Sequence, residues 1–159
     1  MNKSVQASVG GVCAALSVAV MLCSGIFYVF TYAVPMILGL VMMFLKRTFS
    51  SSCAWCVYIA VSILSIILVP DKESVLMYTL FFGYYPIIKS NIDKIKFKLI
   101  RNIVKLLIFN LAVAAVECIA YFIFGIPFFE DGNFSAAMII LFTVLMNVTF
   151  VLYEFLLKN

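Results

Sequence analysis

The chain has no histidine among its 159 residues. That removes the side chain that most often moves protons near neutral pH. With it go a conventional Ser-His-Asp site and a histidine-ligated zinc site. Charge is scarce as well: Asp, Glu, Lys and Arg make up 11% of the residues, against roughly a quarter in soluble domains. No Gly-rich phosphate loop of the Walker type is present, so any ATP chemistry must come from a partner. Internal repeats, low-complexity tracts and linkers are also missing, which predicts one domain. No cofactor is expected.

What remains is mostly hydrocarbon. Apolar residues make up 66% of the chain and the mean hydropathy is +1.20. Too little polar material exists to cover a soluble fold of this size. The prediction is an all-α, polytopic integral membrane bundle lying in the lipid bilayer. The five cysteines (Cys13, Cys23, Cys53, Cys56 and Cys118) sit in or beside apolar runs, where thiols usually act as small hydrophobes. The "CAWC" at Cys53–Cys56 has a redox spacing but no surrounding βαβ pattern. Two small residues opening a membrane helix, with Trp55 at the interface, fit it better.

A helix needs about 20 apolar residues to cross a bilayer. Six stretches qualify: 5–25, 28–45, 52–69, 74–88, 103–124 and 134–157. The fourth is short. The first two are separated only by Gly25, a run of aromatics and Pro35. With six spans, one face collects Lys3, Lys46, Arg47, Lys89, Lys94, Lys96, Lys98, Arg101, Lys105 and Lys158. The other keeps Lys72 with Asp71, Glu73, Glu130 and Asp131. Excess Lys and Arg mark the cytoplasmic side, so both termini are predicted inside, in a plasma membrane. A different number of spans would spoil this segregation.

The densest basic stretch is "GYYPIIKSNIDKIKFKLIRNIVK", residues 83–105, with six of the eleven cations. On a helical wheel Ile88, Ile92, Ile95, Leu99 and Ile103 share one side and Lys94, Lys98, Arg101 and Lys105 the other. The pattern predicts a cationic amphipathic helix over 89–102 at the inner headgroup layer, touching lipid or docking a cytoplasmic partner. A nucleic acid would want a folded basic surface with accessible aromatics and is not expected. Residues 1–24 resemble a retained span more than a cleaved signal. Asn133-Phe-Ser135 is formally a glycosylation sequon on the outer side.

Polar residues enter the hydrocarbon in two stripes. In "KLLIFNLAVAAVECIAYFIFG", Asn110, Glu117 and Tyr121 fall on one helical face. The last span repeats this with Thr143, Asn147 and Glu154. A carboxylate in the membrane is costly and usually functional, which singles out Glu117. Glu154 is close enough to the inner end to reach water. Tyr28, Tyr32 and Tyr78 gather near the outer half and could wall a pocket with Glu117, Thr143 and Asn147 at its floor. A row of small residues (Ala7, Gly11, Ala15, Ala19, Cys23) runs along the first span. It suits close helix packing, either within the chain or against another subunit. Glu117 and Glu154 lie too far apart for an acid–base pair, and enzymatic activity is not expected.

In plan the chain resembles a substrate-binding S component of the energy-coupling-factor vitamin transporters. "GVCAALSVA" is similar to the alanine-xxx-alanine motif by which those components dock, here Ala15 and Ala19 extended by Gly11. "YAVPMILGLVMMF", with Pro35 and Gly39, resembles the start of that family's second span. The chain departs from the family at "LKRTFSSS", where a glycine-rich turn is usual. The resemblance implies capture of a small molecule from outside by Glu117, Asn147, Thr143 and Tyr78. It also implies docking through Gly11, Ala15 and Ala19 to a transmembrane coupling subunit driven by cytoplasmic ATPases. The alternative is a membrane scaffold or accessory subunit without a ligand.

Overall fold

The computed structural model describes residues 3–24, 30–125 and 136–158, and these are helical almost throughout. The helices are α1 (Lys3–Ser24), α2 (Phe30–Thr48), α3 (Ser51–Leu68), α4 (Lys72–Met77), α5 (Tyr85–Ile92), α6 (Lys98–Phe124) and α7 (Ala136–Leu156). A π-helical turn, Tyr78–Phe82, joins α4 to α5. Four helices are long and apolar enough to cross a membrane: Ser4–Ser24, Ser51–Leu68, Lys98–Phe124 and Ile139–Leu156. Their outward faces carry Leu16, Ile63, Ile67, Leu107, Phe122, Leu141 and Leu152, all exposed. So much continuous hydrocarbon points to a lipid surround. The second predicted span corresponds to α2, which ends on Lys46, Arg47 and Thr48. The fourth corresponds to α4, the π turn and α5 together.

Helix ends follow local chemistry. The Ser50 side chain accepts from the Cys53 N–H at 3.2 Å and opens α3; Asp71 does the same for α4 through the Ser74 N–H, also at 3.2 Å. α6 closes on Gly125, whose φ of 65° is the left-handed conformation that glycine adopts without steric cost. Inside the helices Ser17, Ser65, Thr143 and Thr149 each donate to the carbonyl four residues earlier. No hydroxyl among these is left dry in an apolar setting.

The helical rods alternate between two ends. At one end Ser24 and Thr31 both meet Asp71. At the other Lys46 donates to the Ile87 carbonyl at 2.6 Å, and the Cys53 thiol faces the Gln6 carbonyl. The α4–α5 rod occupies the centre, with Val75, Met77, Tyr78, Phe81, Phe82, Tyr85 and Ile87 all buried. On one side it completes a core with Val18, Met21, Leu38, Met42, Val57 and Val61. On the other Phe81 stacks on Tyr85 at 4.6 Å and meets Phe109 edge-on at 5.0 Å, while Phe109 stacks on Phe150 at 4.8 Å. Aromatic pairs of this geometry add to what area burial alone supplies.

The π turn has a definite cost and a definite remedy. The Gly83 N–H donates to the Tyr78 carbonyl five residues back, at 2.8 Å, leaving the Thr79 carbonyl without a helical donor. The Tyr58 hydroxyl of α3 supplies one. Four residues after Phe82 stands Pro86, which has no N–H to give, and the Tyr153 hydroxyl of α7 points at the Phe82 carbonyl instead, 3.4 Å away. Gly83 is required here, since a Cβ would lie 2.6 Å from the Tyr58 ring.

The basic stretch departs from its predicted form. It is not one amphipathic helix over 89–102: α5 ends at Ile92, residues 93–97 form a turn, and α6 starts at Lys98. Its polarity is also partly reversed. Lys89 and Lys105 are buried, whereas Leu99 and Ile103 face out. The physical reason is Glu154, whose carboxylate draws two cations inward and leaves the apolar side chains to the surroundings.

Candidate functional site

Polar groups concentrate at the two ends of the bundle and differ in sign. At the first end Asp71 caps α4 and also accepts from Ser24 at 3.2 Å and Thr31 at 3.1 Å. Nearby, Tyr32 of α2 lies within electrostatic reach of Glu73, Glu117 and Asp71, and its hydroxyl faces Glu73. Burial, and then the Asp71 charge, push the Glu73 carboxyl above its ordinary range; the Tyr32 hydroxyl opposes this. Lys72, the cation of this end among the described residues, donates to the Ile66 and Val69 carbonyls at 2.9 and 2.8 Å and so caps α3. Glu117, half-buried on α6, lies within electrostatic reach of Glu73 and makes no hydrogen bond among the described residues. The arrangement is electronegative and suits a ligand that brings a positive charge or hydrogen-bond donors.

Of the residues singled out from the sequence, Glu117 and Tyr32 are therefore brought together. Asn110 and Asn147 also meet, but each other: their amides exchange hydrogen bonds at 3.0 and 3.2 Å across α6 and α7. Thr143 is exposed and donates to the Ile139 carbonyl of its own helix. Tyr78 is buried in the central rod, its ring 6.1 Å from that of Tyr58 and its hydroxyl without a hydrogen-bond partner among the described residues. Tyr121 lies in the last turn of α6, exposed with Phe122, Ile123 and Phe124 and one turn beyond Glu117 on the same helix. Tyr28, Glu130, Asp131 and the Asn133 sequon lie outside the described residues.

The row of small residues stands on the exposed side of α1, next to a second small pair that is covered. Gly10 and Ala14 face α3, with Val57 Cγ2 3.1 Å from where a Cβ on Gly10 would stand. Ala7, Gly11, Ala15 and Ala19 are exposed, and nothing lies within 4 Å of a Cβ built on Gly11. Beside them a groove of about 490 Å³ runs between α1 and α3, floored by Gly10, Ala14, Cys53 and Val57. Cys53 and Cys56 are free thiols, Cys56 exposed. Among the described residues no group of three or more His, Cys, Asp or Glu side chains could hold a metal ion.

The second end is cationic, and here sequence reasoning missed the pairing. Glu154 accepts from Tyr85 and from Lys105, the latter at 3.1 Å, and forms an ion pair with Lys89 at 3.3 Å. Lys105 also pairs with Asp93, which Arg101 approaches at 3.9 Å. Burial holds the Lys89 ammonium below its ordinary range against the pull of Glu154. Burial and the Lys94 charge lower Lys46 in the same way. The available signal was one residue per helix: Lys105 two turns inside α6, and Glu154 in the last turn of α7.

Compared with known proteins, the chain matches no family model, no curated protein and no solved structure.

Proposed function

We propose that this chain is a multi-pass membrane protein of six spans with both termini on the cytoplasmic side. In this reading it serves as a substrate-capture subunit, similar to the S components of energy-coupling-factor importers, for a vitamin-like small molecule. The observation that carries the reading is the placement of Glu117: a half-buried carboxylate within electrostatic reach of Glu73 and Tyr32, at the end of the bundle opposite the cation cluster. By the distribution of Lys and Arg that end is the outer one. A carboxylate retained there with no partner cation among the described residues is the kind of group that meets a ligand. The exposed row of Ala7, Gly11, Ala15 and Ala19 supports docking to a transmembrane coupling subunit, because close helix approach needs small side chains that are not already covered.

The test is mass spectrometry of the full chain, purified in mild detergent, for a bound metabolite and for co-purifying ATPase subunits. Both are expected, together with thermal stabilisation by one compound of a vitamin panel that Glu117→Gln weakens at least tenfold. Recovery of the chain alone, without metabolite and without response to the panel, overturns capture. That outcome would favour a membrane scaffold, a reading that the Asn110–Asn147 pair supports on its own, since polar stripes spent on each other need no ligand.

A further inference from the structure

At the cationic end a cavity of about 270 Å³ opens between α5, α6 and α7. Five cations line it, Lys89, Lys98, Arg101, Lys105 and Lys158, against two carboxylates, Asp93 and Glu154, an excess of three positive charges. The two carboxylates are already committed to Lys89, Arg101 and Lys105. Lys98 and Lys158 make no ion pair among the described residues. Among the described residues the Lys89 Nζ is buried and has no hydrogen bond, only its 3.3 Å ion contact. An ammonium with three donors, shut away from water and incompletely satisfied, wants an acceptor. A second cavity of about 220 Å³ reaches the same Lys89 and Asp93 from the side of Lys46, Arg47 and Ser90.

We propose that this basin binds a phosphate ester. A phosphate offers several strong acceptor oxygens to converging lysines and an arginine, and basic pockets between membrane helices are where anionic headgroups lodge. The surroundings favour a lipid as the source. Val151 and Phe155 lie on the cavity rim and are exposed, as are Leu99 and Ile103 on α6, so acyl chains attached to a seated headgroup would meet apolar side chains. The proposal uses the membrane location of the bundle but neither its orientation nor a transport role.

The test uses the full chain in a neutral detergent. Native mass spectrometry and thermal shift are recorded with phosphatidylglycerol, with phosphatidylcholine, and with glycerol 3-phosphate or inorganic phosphate in a phosphatidylcholine background. One bound phosphatidylglycerol and a rise in Tm are expected, with little response to phosphatidylcholine. The exposed pair Lys98→Ala/Lys158→Ala should weaken binding by roughly an order of magnitude, two near-surface cations being lost. The pair Lys94→Ala/Lys96→Ala removes the same charge outside the cavity and should change it little. A response to phosphatidylglycerol alone assigns the basin to a headgroup. An equal response to glycerol 3-phosphate or inorganic phosphate assigns it to a soluble phosphate ester. No adduct and no shift with any of them overturns the proposal. So does equal weakening by both variant pairs, which would reduce the effect to diffuse charge.

Discussion

The Tyr58 hydroxyl of α3 donates to the Thr79 carbonyl at 2.8 Å, the carbonyl that the π turn in the central rod leaves without a helical donor. Tyr58→Phe keeps the ring and removes only the hydroxyl. It is expected to cost about 1–3 kcal/mol, the penalty of a buried acceptor left dry, read as a lower midpoint in denaturant or heat. An unchanged midpoint would mean that the carbonyl has another donor.

Gly39 and Tyr153 are in contact, and a Cβ at residue 39 would also lie 2.7 Å from the Phe82 carbonyl. Gly39→Ala is therefore expected to destabilise the bundle by about 1–3 kcal/mol through overpacking. Adding Tyr153→Phe, which removes the hydroxyl from the crowded side, should return part of the loss. Purely additive costs in the double variant would place the strain elsewhere.

Glu154 serves two lysines, whereas each lysine has a different reserve. Lys105 pairs with Asp93 as well, but among the described residues Lys89 has Glu154 alone as its ion partner, at 3.3 Å. Glu154→Gln is accordingly expected to be the most damaging single change in this network, by about 2–4 kcal/mol, since it strands a buried ammonium. Lys105→Met should cost less because Lys89 still holds the carboxylate. The reverse order of thermal midpoints would contradict the assigned pairing.

The Asn110–Asn147 exchange predicts strong coupling between the two positions. Each single change to Leu should cost about 1 kcal/mol, and the double change no more than either one, because the second removes only an already orphaned amide. If Asn147→Leu also abolished ligand stabilisation while Asn110→Leu did not, Asn147 would belong to the capture site after all.

Much of the helical architecture was legible in the sequence because hydrocarbon length speaks directly to it. The apolar runs at 5–25, 52–69, 103–124 and 134–157 coincide with the four long helices within a few residues. The weaker fourth run was legible as a segment but not as a broken one. Nothing in "MYTLFFGYYP" states that Gly83 will reach back five residues, since the remedy lies far away in Tyr58 and Tyr153. The basic stretch misled for a similar reason. Helical periodicity takes no account of a single distant Glu154, which outweighs the ordinary preference of Lys89 and Lys105 for water. For the candidate site, Glu117 stood out as a lone intramembrane carboxylate. Asp71 and Glu73 looked like an ordinary loop, because their approach to Tyr32 depends on how α2 and α4 meet. Asn110 and Asn147 were legible as polar positions but not as one another's partners.

The Tyr153–Phe82 contact joins residues 71 positions apart in the chain. A ribosome delivering this protein releases the central rod well before α7 exists. Until the last helix arrives, the Phe82 carbonyl lacks the Tyr153 hydroxyl. Truncation anywhere before Tyr153 should therefore leave a nascent product that quality-control proteases recognise by its unsealed middle rather than by its missing tail.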